Sequence, residues 1–251
     1  MRKLSVIGIG VGDPDHLTLQ AVEALRRTDV FFVPGKGEEK AELREMRLDI
    51  CRQFAIPGGH RIVDVEIPQR RRQPADYLAA VDDWHAEIAS RYERAFLAEL
   101  GEGERGSLLV WGDPSLYDST LRLLERIAAR GTALEVEVIP GLSSVQLLAA
   151  RHGIALNRIG GPVLLAPARK LADGILPVGV DDVVVVLDGE LTFRRFDGEA
   201  FDIYWGACLG SPDEILIAGR LVDVRQRIEA AREQVRHRKG WIMDVYLLRR
   251  R

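Results

Sequence analysis

The sequence is short of cysteine, of unbalanced charge and of long apolar runs, and each shortage closes off a class of protein. Its two cysteines, Cys51 and Cys208, lie far apart with neither disulfide nor zinc-ligand spacing. That excludes a disulfide-stapled secreted scaffold and predicts two reduced thiols in a cytoplasmic chain. A formal net charge of −3 over 251 residues leaves no basic footprint for nucleic acid. No apolar run reaches the roughly 18 residues of a membrane span. Residues 1–10 start basic and apolar, but glycines and an Asp-Pro interrupt them too early for a signal peptide. The five histidines, at 16, 60, 85, 152 and 237, are scattered and show no metal-ligand spacing, so no metal site is predicted. What remains is an ordinary globular composition, 47% apolar and 29% charged, long enough for one large or two small domains.

Apolar runs at 3–9, 29–33, 61–67, 107–111 and 134–139 alternate with helical patterns at 17–27, 38–52, 76–100 and 116–130, and another follows Pro140. Strands separated by helices predict βαβ units and a parallel sheet. The longest helical pattern carries Tyr77, Val81, Trp84, Ile88, Tyr92 and Phe96 as one apolar stripe, with Trp84 read as core. The segment 153–161 reads as a linker between an N-terminal domain, 1–152, and a C-terminal domain, 162–251. In the second domain, strands at 163–166, 182–188, 202–207 and 214–218, a helix at 221–236 and a last strand at 241–248 predict a mixed α/β sheet. Its Ser211-Pro212-Asp213 turn reads as a hairpin.

Three predicted strands of the first half end in glycine turns. "VIGIGVGDPDHLTL" (6–19) has the glycines for close backbone approach. Asp13, however, stands where a dinucleotide loop needs its third glycine, and it would repel a pyrophosphate. Taken alone, this loop could be a tight turn capped by Asp13 or Asp15. "VWGDPSLY" (110–117) could be an Asp-Pro turn feeding a helix, and "IPGLSSVQ" (139–146) a helix capped by Ser143 or Ser144. The three together lie at one edge of one sheet, where ligands of open α/β folds bind. None offers Lys or Arg to a phosphate, so they imply a neutral or zwitterionic ligand held by backbone groups.

In this order the three motifs closely resemble those of the tetrapyrrole methylases, and "VVVVLDGE" (183–190) and "GSPDEILIAGRL" (210–221) resemble that family's second-domain strands. The resemblance implies two α/β domains with the active cleft between them, a homodimer, and S-adenosyl-L-methionine as methyl donor. It implies cofactor contacts from Gly10, Val11, Gly12, Trp111, Gly112, Asp113, Leu116, Tyr117, Ser143 and Ser144, with Leu187 and Ala207 from the second domain. Segments 27–47, 77–85, 113–120 and 151–163 are most similar to the family's deacetylating branch. This implies methylation of precorrin-5, an acidic tetrapyrrole, at ring carbon 1 with loss of acetate. The alternatives are another precorrin methylase or a noncatalytic homologue that binds the cofactor.

For the substrate, the resemblance implies Lys36, Tyr117 and Asp118. Arg70, Arg71 and Arg72 could meet its carboxylates or form a solvated basic loop, and Lys36, Lys40 and Arg44 are a rival set. Three departures from the family pattern stand out. Val11 replaces a loop proline. Ala166-Pro167-Ala168-Arg169 replaces a Thr-Thr-Gly-Arg-like segment. Val33-Pro34-Gly35-Lys36 lacks an acidic residue found there in other members. No catalytic base is assigned: each histidine is read as structural, and His85, beside Trp84, is the least unsuited of them to a substrate role.

Overall fold

The computed structural model describes residues 1–35, 41–68 and 77–251. Lys36, Lys40 and Arg70–72 lie outside them. The chain divides into two compact units, Met1–Ser143 and Ser144–Arg251.

The first unit runs β1 (Arg2–Gly8), α1 (Leu19–Arg26), β2 (Val30–Gly35), α2 (Ala41–Phe54), β3 (Arg61–Glu66), α3 (Tyr77–Glu99), β4 (Arg105–Val110), α4 (Thr120–Ala129) and β5 (Leu134–Ile139). Its five strands form one parallel sheet in the order β3-β2-β4-β1-β5. Strand alternation sorts the core into two faces. Ile7, Phe31, Val33 and Leu109 pack under α1 and α2. Leu4, Val6, Phe32, Leu108 and Val110 pack under α3 and α4, against Ile88, Tyr92, Phe96, Leu123 and Ile127. The stripe predicted on α3 is therefore core along its C-terminal half. Trp84 is only partly buried, and its indole N–H donates to the Pro68 carbonyl at 2.7 Å.

β4 lies between β1 and β2, yet its following helix packs on the face opposite theirs. The chain thus diverges at the carboxyl end on both sides of β4, and such divergence opens ligand crevices in α/β sheets. Two helix starts fall later than the sequence pattern predicts. α1 begins at Leu19 because Thr18 caps it, its hydroxyl accepting from the Ala21 N–H at 3.0 Å. α4 begins at Thr120 because Tyr117 is left-handed (φ 52°) and Asp118 accepts from the Thr120 N–H at 2.7 Å.

The second unit runs α5 (Ser144–His152), β6 (Val163–Pro167), β7 (Asp182–Val186), β8 (Phe201–Ala207), β9 (Ile215–Arg220), α6 (Leu221–Lys239) and β10 (Asp244–Arg250). Its sheet has the order β6-β7-β10-β8-β9, with β6 parallel to β7 and the other pairs antiparallel, the predicted hairpin β8–β9 among them. The division of the chain falls ahead of segment 153–161 because α5 packs on β8, β9 and β10. Gly206 makes room for it: a Cβ there would lie 2.9 Å from Leu148 Cδ1. Among the described residues no helix is long and apolar enough to cross a membrane.

Candidate active site

The carboxyl ends of β1, β4 and β5 meet backbone to backbone. A Cβ built on Gly8 would lie 2.5 Å from Gly141 N and 2.9 Å from Gly112 O, and one on Gly141 would lie 2.2 Å from Gly112 O. Only glycine fits at Gly8 and Gly141. Past the regular ladder, Ile9 N–H donates to Val110 O at 2.9 Å and Gly112 N–H to Gly10 O at 2.7 Å, an isolated antiparallel bridge. Gly10 and Gly112 both have φ 71°, the left-handed region open to glycine.

Asp113 fastens the third loop to the second. Its Oδ2 accepts from the Gly141 N–H at 2.9 Å, and its Oδ1 accepts from the N–H of Ser115, also at 2.9 Å, and from that residue's hydroxyl. Burial pushes the carboxyl up, but the bonds from Ser115 and Gly141 outweigh it and hold the group below its ordinary range. The structure thus gives Asp113 a loop-positioning role in addition to the cofactor contact predicted for it.

The remaining predicted residues of the first unit lie on the same three loops. Val11 is buried, and Ser143 and Val11 are the nearest neighbours of Gly112, at 3.8 and 3.9 Å from its built Cβ. Trp111 packs against the core under α1 and α2, and Leu116 N–H donates to Asp113 O at 3.1 Å. Tyr117 is exposed and left-handed, a combination that concentrates at ligand sites. Asp13 is the cap predicted for the glycine loop: its Oδ1 accepts from the Asp15 N–H at 2.9 Å at the start of a short 3₁₀ turn, Pro14–His16. That turn separates the loop from α1.

In the second unit, β6, β7 and β8 run in one direction, so Pro167, Leu187 and Ala207 fall at one edge of the sheet. Leu187 is left-handed (φ 55°) and exposed, and Ala207 is buried. The turn after β7 is held by buried Asp188, which accepts from the N–H groups of Glu190 and Thr192 and from the Tyr246 hydroxyl at 2.7–2.9 Å. Ser144 opens α5. The divergent segment 166–169 ends β6 and enters a 3₁₀ turn, Ala168–Leu171, with Ala168 buried.

The rival substrate residue Arg44 forms a two-point ion pair with Asp64 at 2.8 and 2.9 Å, which ties α2 to β3. Sequence reasoning passed over Arg47, one turn further on. Its signal was its place on the apolar face of α2 with Leu43, Ile50 and Cys51. Among the described residues no group of His, Cys, Asp or Glu is placed to hold a metal ion.

A glycine contact at the strand ends of a parallel sheet, in a chain whose second unit carries a mixed sheet, defines a two-unit α/β protein. The chain belongs to the Tetrapyrrole (Corrin/Porphyrin) Methylases, which it matches over residues 3–224. It is 48% identical over 251 residues to the precorrin-6A synthase [deacetylating] of Sinorhizobium sp., a match spanning all of this chain and 96% of that one. It is similar to the crystal structure of the cobalamin synthesis related protein CobF from Corynebacterium diphtheriae, with a TM-score of 0.84 and 34% identity over 99% of this chain and 98% of that one. The fold alone is shared with the uroporphyrin-III C-methyltransferase of Thermus thermophilus in complex with S-adenosyl homocysteine. There the TM-score is 0.58 and the identity 19%, over 98% of this chain and 91% of the other.

Proposed function

We propose that this chain is an S-adenosylmethionine-dependent C-methyltransferase of cobalamin biosynthesis, converting precorrin-5 to precorrin-6A with loss of acetate. The observation that carries the reading is the full-length 48% identity to the Sinorhizobium enzyme of that name. The glycine contact is the structural feature that fits it. The cofactor supplies an activated methyl group on a sulfonium, so the protein's task is to align it with ring carbon 1 and keep water from the methyl. The chain's residues divide that work. Gly8, Gly112 and Gly141 fix three strand ends in register, and Asp113 locks the second to the third. Gly10, Val11, Gly12, Trp111, Leu116, Tyr117, Ser143 and Ser144 are the proposed cofactor contacts, together with Leu187 and Ala207 of the second unit. Tyr117, Asp118 and Lys36 are the proposed substrate contacts. Water adds to the acetyl carbonyl, the bond to ring carbon 1 breaks, and acetate and two protons leave; the electron pair left on carbon 1 takes the methyl as the sulfur–methyl bond breaks, leaving the neutral thioether.

The test is incubation of the purified chain with precorrin-5 and S-adenosylmethionine, following product mass and free acetate. One methyl gained and one acetate released per turnover is expected. Methylation without acetate overturns the deacetylating assignment, and failure to bind S-adenosylmethionine in calorimetry overturns the class. A cytoplasmic homodimer belongs to the same proposal and rests on the family resemblance; a solution mass of a single chain would overturn the dimer.

A further inference from the structure

The second crevice beside β4 has no role in the cofactor assignment. β2 pairs with β4 at only two positions, Val30↔Gly106 and Phe31↔Ser107, although β2 continues to Gly35 and β4 to Val110. Beyond this fork the Leu109 carbonyl is met by a side chain instead of a strand. Arg47 Nε donates to it at 3.0 Å, and Arg47 Nη1 donates to Leu43 O at 2.8 Å. Among the described residues Nη2 has no further hydrogen-bond partner.

At the fork lies a cavity of about 90 Å³ whose polar lining is Arg47, Tyr92, Asp118, Ser119 and Thr120 and whose apolar walls include Phe32, Trp84 and Ile88. Tyr92 is 8% exposed, and its hydroxyl has no hydrogen-bond partner among the described residues. Burial pushes the phenol up, the Arg47 charge lowers it and Asp118 raises it, so it stays a donor. Burial also disfavours the Arg47 charge, with Tyr92 and Asp118 opposing. Asp118 is turned to the Thr120 N–H. It is not within ion-pair distance of Arg47, whose charge has no counter-ion in contact among the described residues. An unused cationic donor, an unpartnered hydroxyl and apolar walls describe a receptor for a small anion with a carbon tail. One water needs roughly 10–15 Å³ by this measure, so the space suits a handful of heavy atoms and excludes a nucleoside.

We infer that the β2/β4 fork cavity binds a two-carbon carboxylate, through Arg47 Nη2 and the Tyr92 hydroxyl, with the carbon on Phe32, Trp84 and Ile88. This rests on the proposed reaction, which offers the group from two sources: the released acetate, or a carboxymethyl arm of the macrocycle.

Saturation-transfer NMR with sodium acetate as the probe tests the subsite without turnover. Transfer to the acetate methyl is expected in the wild type, with affinity about tenfold weaker or more in Arg47→Met. Tyr92→Phe, which removes only an oxygen and leaves the core ring, is expected to weaken it several-fold. No transfer in the wild type at any acetate concentration, or equal affinity in both variants, overturns the inference. With precorrin-5, acetate inhibition competitive with the macrocycle, and a raised KM in Tyr92→Phe, assigns the cavity to the carboxymethyl arm. Noncompetitive inhibition with a lowered kcat assigns it to the leaving acetate. Acetate binding in a chain that does not turn over precorrin-5 would refute the proposed function and keep the subsite. Turnover without acetate binding would refute the subsite alone.

Discussion

Gly141→Ala probes the meeting of three strand ends most directly. The new Cβ would sit 2.2 Å from Gly112 O and 2.7 Å from Gly8 C, both backbone atoms, where ordinary contact begins near 3.4 Å. The end of β5 would have to retreat by roughly 1 Å, since a close-packed interior leaves no slack. That retreat pulls the Gly141 N–H off Asp113 Oδ2, now at 2.9 Å. Overpacking costs about 1–3 kcal/mol, and the charge-assisted bond about 1.5–3 kcal/mol. A loss of about 3–6 kcal/mol is therefore expected, a large share of the 5–15 kcal/mol typical of a domain. Urea unfolding followed by tryptophan fluorescence measures it, and calorimetric titration should show S-adenosylmethionine affinity falling at least about tenfold. Gly189→Ala is the control: nothing lies within 4 Å of its built Cβ, so a change within about 0.5 kcal/mol is expected. If Gly141→Ala cost less than about 1 kcal/mol and bound cofactor normally, the loops would not be locked together and the argument would fail.

Asp113→Ala leaves the Gly141 N–H without its acceptor and should cost about 1–3 kcal/mol in urea unfolding. Because the folded carboxyl is held below its ordinary range, the wild-type advantage should persist at neutral pH. It should vanish as pH falls through that lowered value; an advantage that survives in strong acid contradicts the clamp. Val11→Pro stiffens the loop and should tighten S-adenosylmethionine binding about two- to fivefold in calorimetry; unchanged affinity would reduce the loop to a mere turn. Asp244 is buried, which pushes its carboxyl up to about 6 against the pull of Arg232 and Trp205. Its protonated form is favoured by folding, so its contribution is full below the unfolded value near pH 4 and is lost as pH rises through about 6. Unfolding midpoints from pH 4 to 7 should therefore fall more steeply with pH in the wild type than in Asp244→Asn, by up to about 3 kcal/mol. Parallel profiles would contradict that burial.

The order of strands and helices was legible because strands such as β1, β4 and β7 are continuous buried apolar runs and the helices between strands keep apolar positions at helical spacing, patterns that survive in a single sequence. Two helix starts were displaced by side-chain chemistry that periodicity does not register: the Thr18 cap, and the left-handed Tyr117 followed by the Asp118 bond. The three glycine turns were legible one by one. That Gly8, Gly112 and Gly141 touch was not, because contact between turns depends on strand order, and β4 enters the sheet out of sequence between β1 and β2. Arg47 was hidden for a related reason. A lone arginine on an apolar helix face has meaning only once β2 and β4 are known to diverge beside it. Nor could the sequence tell that Arg44 is already engaged by Asp64.

The glycine contact also bears on how such a scaffold can diversify. Three loops that touch through their backbones behave as one mechanical part, since a side chain added to either Gly8 or Gly141 displaces the others. This end of the sheet, the proposed donor site, therefore offers evolution little to adjust residue by residue. The fork between β2 and β4 is lined by side chains of several kinds, among them the Arg47 that bonds the Leu109 carbonyl. If it takes part of the acceptor, as proposed above, acceptor preferences are most readily written there.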